Sequence, residues 1–405
     1  MSRDIVVTGI GAVTALGDGV AALYERSLRG ESGLRDGEGR CSAFEPTKVL
    51  TRKEVHRTDR FSQFAIVACD EAVKQAGWDR GLPYRSERVM SIIGSGVGGI
   101  ETAEQQMALM REQGPDYVSG LTVPMLMANA PAAQIAIRHG LHGEAYCVTS
   151  ACASGAQAIG AGMRAIRSGE ADAAIVGGAE ASLSGFTRAA FLNAGAMSPT
   201  GESVPFAKDR DGFLMGEGAG ILVLESAEGA AARGARPLGK VIGYGATCDA
   251  HHLTAPAQDG QAAVGAIRVA LEDAGLEPGD IDYVNAHGTG TPMNDRLEIA
   301  ALRTVFGDAL ASIPISSTKS CVGHLMGAAG AVEAIVTLRA VAAGVAPPTV
   351  GLCNPDDELE PLAHVHHATP LRAGGDGGHT AISTSFGFGG HNSVLILSGP
   401  ERPER

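Results

Sequence analysis

The chain has 405 residues, 44% of them hydrophobic and 19% charged, enough apolar material for one large core or two to three domain-sized units. Its formal net charge of −13, from 45 acidic against 32 basic side chains, excludes the positive field that non-specific binding to nucleic acid or an anionic membrane requires. Seven scattered cysteines without a CxxC pair argue against a disulfide framework or zinc ribbon and for a reducing, cytoplasmic compartment.

Residues 4–13 (DIVVTGIGAV) form an apolar, β-branched run punctuated by glycines and predict a buried strand. No basic region followed by a long apolar run precedes them, so no signal peptide is expected. Residues 60–77 space Phe61, Phe64, Ala65, Ala68 and Ala72 along one helical face and stop at Gly77. Residues 88–94 predict a strand, followed by a glycine-rich turn and a polar helix, while 113–128 mix Gly, Pro and Ser as an ordered loop. A strand at 145–149 runs into an Ala/Gly helix over 152–167 and a further strand at 171–178. A second such series follows, with a strand at 313–318, a helix over 324–343 and a strand at 380–384. The most membrane-like window, 325–345, contains Glu333 and Arg339 and reads as a buried helix rather than a span. Only the tail after Gly399 has the look of a linker.

The two series, together with VVTGIGAVTA near residue 10 echoed by KVIGYGATCD near 245, indicate a single duplication. A solenoid would repeat over a far shorter period. Alternating strands and helices predict a layered α/β architecture. With 56 glycines and only 4% aromatics, its inner helices are expected to pack closely through small residues.

Cys152, in CVTSACASGAQAIG, stands after one strand and at the start of one of these helices. Free N–H groups at a helix start lower a thiol's pKa and favour a nucleophilic thiolate. Buried cysteine is as often a small hydrophobe, and position alone does not choose. Cys147 lies within the strand and reads as structural. His287 (NAHGTGT) and His324 (KSCVGH) occupy glycine-punctuated loops, the second at a strand-to-helix junction that mirrors that of Cys152, with Lys319 beside it. A lone histidine is more often a satisfied structural residue, but this shared placement favours chemistry. His251, His252, His364, His366 and His367 lack that context and read as polar surface or loop. No HExxH or His–carboxylate cluster points to a metal. Gly94, Gly96 and Gly99 satisfy GxGxxG, yet glycines and prolines fill the place of the second parallel strand, so a dinucleotide site is disfavoured. Residues 385–392 (SFGFGGHN) form a glycine-rich turn between two strands, offering a backbone N–H to a carbonyl and Phe386 or Phe388 as an apolar plug.

Five segments in order, TSACASG, PFAKDRDGFLMGEGAG, NAHGTGTPMND, SSTKSCVGHLMGAAGAVE and SFGFGGHN, resemble the condensing enzymes of the thiolase superfamily, specifically the β-ketoacyl-acyl-carrier-protein synthase II type. The similarity runs from about residue 3 to residue 398. It implies an α/β, thiolase-like five-layered αβαβα fold of two duplicated halves, 1–237 with the nucleophile and 238–405 with the histidines. It also implies Cys152 as acyl acceptor, His287 and His324 in decarboxylation and condensation, Lys319 as organiser and Glu333 as its partner. Thr289 and Thr291 match residues contacting a phosphopantetheine arm, and the N–H groups of Cys152 and Phe388 an oxyanion hole gated by the Phe388 ring. No cofactor beyond the arm of an acyl carrier protein is implied. The implied assembly is a homodimer, or a heterodimer with a homologous chain-length subunit. The function implied is decarboxylative condensation in fatty-acid or type II polyketide elongation. A non-catalytic partner subunit and a CoA-dependent thiolase are the alternatives; the first commonly lacks the Cys, and the second uses a second Cys in place of one His. Carrier proteins are usually acidic, and Arg57, Arg60 and Lys74 are candidates for docking one. One departure is visible: Ala207 stands where the family usually has Asp after Pro-Phe.

Overall fold

The computed structural model describes residues 3–372 and 378–400, so most of the tail expected to be linker-like lies outside the described residues. One sheet contains β1 (Ile5–Thr14), β2 (Val89–Gly94), β3 (Ala145–Val148), β4 (Ala173–Glu180), β5 (Gly218–Ser226), β6 (Gly239–Cys248), β7 (Tyr283–Asn285), β8 (Pro314–Ser316), β9 (Ala363–His364), β10 (Thr380–Gly387) and β11 (His391–Ser398). A two-residue strand, Gly17–Asp18, adds to β1. The helices of fourteen or more residues among those described are α1 (Arg60–Gln75), α2 (Ile100–Gln113), α3 (Ser154–Arg167), α4 (Gln261–Ala274), α5 (Pro292–Phe306) and α6 (Ala329–Ala343).

The strand order, β9-β8-β7-β10-β11-β6-β1-β5-β4-β2-β3, has an internal symmetry. Outward from β1, the pairings with β5 and then β4 are antiparallel, and those with β2 and β3 are parallel. Outward from β6, β11 and β10 add antiparallel, then β7 and β8 parallel. The two series meet only where β1 pairs with β6, at Val6↔Lys240 and Val7↔Gly239.

Side chains alternate across a strand, so each sheet half has two faces to cover. On β5, Ile221 and Val223 join Phe61, Phe64 and Ala68 of α1 in an outer core. Leu222 and Leu224 point the other way, into a central core with Ile159 and Met163 of α3 and Val332 and Ile335 of α6. On β11, Leu395 and Leu397 enter that central core, whereas Val394 and Ile396 meet Val264 and Ile267 of α4 in a second outer core. The result is the expected five-layered helix–sheet–helix–sheet–helix fold.

Glycines make these layers possible at matched positions. A Cβ on Gly9 or Gly11 of β1 would stand 2.0 or 1.9 Å from a backbone oxygen of α1. One on Gly243 or Gly245 of β6 would stand 2.4 or 2.0 Å from a backbone oxygen of α4. The sequence echo between residues near 10 and near 245 therefore reflects one packing solution used twice. In the central layer, Gly155 faces Ala331 and Gly330 faces Ala156, bringing α3 and α6 into backbone contact.

Several boundaries differ from those expected. The loop over 113–128 contains a 3₁₀ turn (Pro115–Tyr117) and a short helix (Thr122–Leu126). The helix expected over 324–343 begins with a separate 3₁₀ turn (Met326–Ala328). Among the described residues one stretch, Met326–Ala343, is long and apolar enough to cross a membrane, and 83% of it is buried within the fold. The apolar segments around 152–167 and 171–182 are covered within the chain itself. β4 lies between β5 and β2, and α3 packs against α6. The strand order ends at β9, whose two residues are half-buried, and at the longer β3, whose residues are half-buried or exposed.

Candidate active site

Cys152 follows a sharp turn out of β3. Ala151 adopts φ 51°, and Ser154 pins the turn by accepting from the Ser150 N–H (2.9 Å) and donating to the Ala151 carbonyl (2.6 Å). α3 starts at Ser154, two residues later than expected. The backbone of the 386–390 turn lies against this elbow: a Cβ on Gly387 would be 3.0 Å from the Cys152 nitrogen. The Phe388 N–H donates toward the Cys152 sulfur. The helix start does not leave a low-pKa thiol. Part of Cys152 reaches the cavity, but burial dominates at the sulfur and pushes the thiol up to about 11, against smaller opposing effects of Lys319 and the Phe388 N–H.

His287 stands in the loop between β7 and α5. Glu298, in the second turn of α5, accepts from the N–H groups of His287 and Gly288 (both 2.8 Å) and from the Thr384 hydroxyl (2.6 Å). Lys319, fully buried, donates to the His287 carbonyl (2.6 Å), reaches its Nδ1 (3.2 Å) and pairs with Glu333. A lysine facing Nδ1 makes that nitrogen the acceptor and places the ring proton on Nε2. His324 reaches the same state differently, its Nδ1 accepting from the Met326 N–H (3.1 Å). The two rings are 5.4 Å apart and nearly perpendicular, at 85°. Burial first, then the nearby Lys319, holds both imidazoles well below their usual pKa. Both are therefore neutral Nε2–H donors at physiological pH.

Cys152, both histidines, Thr289, Thr291 and Phe388 line one cavity of about 260 Å³. The two threonine hydroxyls are 2.9 Å apart, and Thr291 also caps α5. Lys319 and Glu333 lie behind the histidines. Phe386 and Phe388 both reach the cavity, the first against His287 and the second against Phe191.

Other expectations are corrected. Arg60 is not a free docking cation: its guanidinium forks onto the fully buried Glu217 (2.7 and 3.0 Å) and stacks on Phe64, whereas Arg57 and Lys74 are exposed. His364 is not a surface residue, since its side chain is 3% exposed and packs beside Phe206. The Asp missing at 207 leaves no orphaned cation there, because Arg210 pairs with Asp356 (2.6 Å) and donates to the Ala207 carbonyl (2.8 Å). The GSGVGG turn does join a strand to a helix, but Gly96 and Val97 aim their N–H groups at the Glu180 carboxylate. Sequence reasoning missed Glu180, Glu298, Phe191 and Phe213, the last packed edge-on against His324 in the cavity wall. The available signal was an acid ending an otherwise apolar strand (VGGAE) and another on an apolar helix face.

The family model for the beta-ketoacyl synthase N-terminal domain matches residues 42–230, and that for the C-terminal domain residues 238–353. The chain belongs to the beta-ketoacyl synthase family. It is 41% identical to the 3-oxoacyl-[acyl-carrier-protein] synthase 2 of Synechocystis sp., over 98% of each chain. Among solved structures it is similar to the ishigamide ketosynthase/chain length factor, with TM-score 0.90, 36% identity and 98% and 100% of the two chains covered. It is also similar to a ketosynthase solved in complex with its type II polyketide acyl-carrier protein, with TM-score 0.87, 28% identity and the same coverage. Within this ketosynthase family, the pairing of one Cys with two neutral His donors is the feature of the cavity that bears on chemistry.

Proposed function

We propose that this chain is an elongating β-ketoacyl-acyl-carrier-protein synthase that performs a decarboxylative Claisen condensation. The observation that carries the reading is that Cys152 lines one cavity together with two neutral Nε2–H imidazoles. In the first half-reaction the sulfur attacks an acyl-carrier thioester, the carrier thiol leaves with the proton, and the N–H groups of Cys152 and Phe388 hold the oxyanion. In the second, malonyl-carrier binds with its arm along Thr289 and Thr291 and its thioester oxygen between His287 and His324. Loss of CO₂ leaves an enolate that two N–H donors stabilise. Its carbon attacks the acyl group, the sulfur leaves, and one proton restores the thiol. Lys319, paired with Glu333, keeps the Nδ1 of His287 occupied throughout.

Residues 1–237 would then supply the nucleophile and 238–405 the decarboxylating pair. Seven free thiols fit a reducing cytoplasm. Retention of the Cys disfavours a non-catalytic subunit, and a His at 324 disfavours the thiolase reading. Whether the chain elongates fatty acids as a homodimer or polyketides beside a chain-length partner rests on its assembly. The deciding experiment is intact-protein mass spectrometry after incubation with acyl-carrier proteins. Wild type should gain one acyl group, mapping to Cys152, and Cys152→Ala none. An adduct on Cys147 or Cys321 would overturn the assignment.

A further inference from the structure

Glu180 ends β4, is fully buried, and has no place in the chemistry above. Its carboxylate accepts from the Gly96 N–H (2.6 Å), the Gly327 N–H (3.0 Å) and the Ser182 hydroxyl (2.9 Å), with the Ser95 hydroxyl and Val97 N–H farther off at 3.3 and 3.4 Å. Apart from Ser182, two residues along the same chain segment, these donors belong to two distant segments, the GSGVGG turn and the loop of His324. The second is under strain: Met326 holds φ 46°, an unusual conformation for a side-chain-bearing residue. The peptide joining Met326 to Gly327 thus carries the N–H that Glu180 binds, and the preceding one carries the N–H donated to His324 Nδ1 (3.1 Å). The loop is also wedged in place, since a Cβ on Gly327 would lie 2.2 Å from the Gly96 nitrogen.

We propose that Glu180 is a positioning residue for the condensation: by holding the strained Met326–Gly327 peptide it keeps the Met326 N–H on Nδ1 of His324 and so fixes that ring as an Nε2–H donor. Glu298 binds the His287 and Gly288 N–H groups in the same manner, so each histidine loop has its own buried carboxylate. The proposal rests on reading His324 as the enolate donor, and the test separates the two.

Imidazole-¹⁵N-labelled protein is compared as wild type, Glu180→Gln and Ser182→Ala, with His324→Ala assigning the signal. Wild-type His324 should show Nδ1 unprotonated and Nε2 carrying the proton. In Glu180→Gln an Nδ1–H population should appear. Decarboxylation of malonyl-carrier should fall about ten- to a hundredfold, as misplacement of a catalytic group by about 1 Å does. Loading of Cys152 should stay within roughly threefold, because its oxyanion donors lie elsewhere. Ser182→Ala, which removes one donor to the carboxylate, should move the same readouts in the same direction by a smaller factor and decides the matter if Glu180→Gln fails to fold. An unchanged tautomer in the folded variants would overturn the proposal, as would loading and decarboxylation falling together. Undiminished decarboxylation in His324→Ala would instead overturn the donor reading.

Discussion

Burial pushes the Cys152 thiol up to about 11, against the smaller lowering effects of Lys319 and the Phe388 N–H. The free enzyme therefore holds a thiol at neutral pH, and its reactivity should track a small thiolate fraction. Alkylation of Cys152 by iodoacetamide, followed by peptide mapping, should speed up about tenfold per pH unit from 7 to 10; a plateau near pH 7 would show a low-pKa thiolate instead. The histidines give a second pH signature. Their folded pKa values lie well below 6.5, so below that pH the unfolded chain takes up protons that the folded chain does not, and stability falls as pH falls. Glu298, pushed up to about 7 by burial, has the opposite sign, adding stability as pH drops through 7 toward 4.5. The test is thus a difference: between pH 7.5 and 5, the melting temperature of a His287→Gln/His324→Gln double variant should drop less than that of wild type. Equal drops would mean that the rings titrate normally. That Cys152, His287 and His324 share one cavity, with Lys319 against His287, was legible from motif and loop placement. The thiol's true direction of shift was not, because a helix start is visible in sequence and the desolvation around a sulfur is not.

At the scale of elements, the site depends on how closely α3 and α6 approach, since one begins two residues after Cys152 and the other five residues after His324. A Cβ on Gly155 would lie 2.9 Å from the backbone of both Ala331 and Gly327, atoms that cannot move aside cheaply. Gly155→Ala should destabilise the protein by about 1–3 kcal/mol and abolish loading of Cys152. Gly265 in α4 makes the control: a Cβ there meets only the Thr247 methyl at 3.6 Å. Gly265→Ala should stabilise by up to about 1 kcal/mol with activity intact. Calorimetry on the two variants checks both signs, and equal effects would refute the packing argument. Strand and helix existence was readable from apolar runs and glycine stops. The partners of Glu180 were not, because Gly96 lies 84 residues earlier and only the fold brings them together.

At the scale of the whole molecule, β3 is the longer of the two strands that end the sheet, and its unpaired edge N–H and C=O groups can recruit another strand. Ile137, on the helix packed beside it, is 76% exposed, and Met107 and Met110 of α2 are also exposed. The chain should therefore be at least dimeric by native mass spectrometry, with Ile137→Glu weakening the assembly without unfolding the subunit; a fully active wild-type monomer would contradict this. Purification as an active homodimer supports the fatty-acid role. Dependence on a co-expressed homologue without the Cys supports the polyketide one. The duplication and the layers were legible in the sequence, but the face left for a partner was not, because an apolar segment looks the same whether its own chain or another covers it.

The seam between β1 and β6, only two residue pairs wide, joins two copies of the same strand-turn-helix corner around one cavity. A pair of identical, unlinked halves obeying that arrangement would carry the same residue at the corners of Cys152 and His324, two thiols or two imidazoles. Joining the copies in one polypeptide releases them from identity, so that one corner carries Cys152 and the other His324, as the proposed chemistry requires. On that chemistry, a single linked chain gives the unlike ends of one reaction to two like halves of one fold.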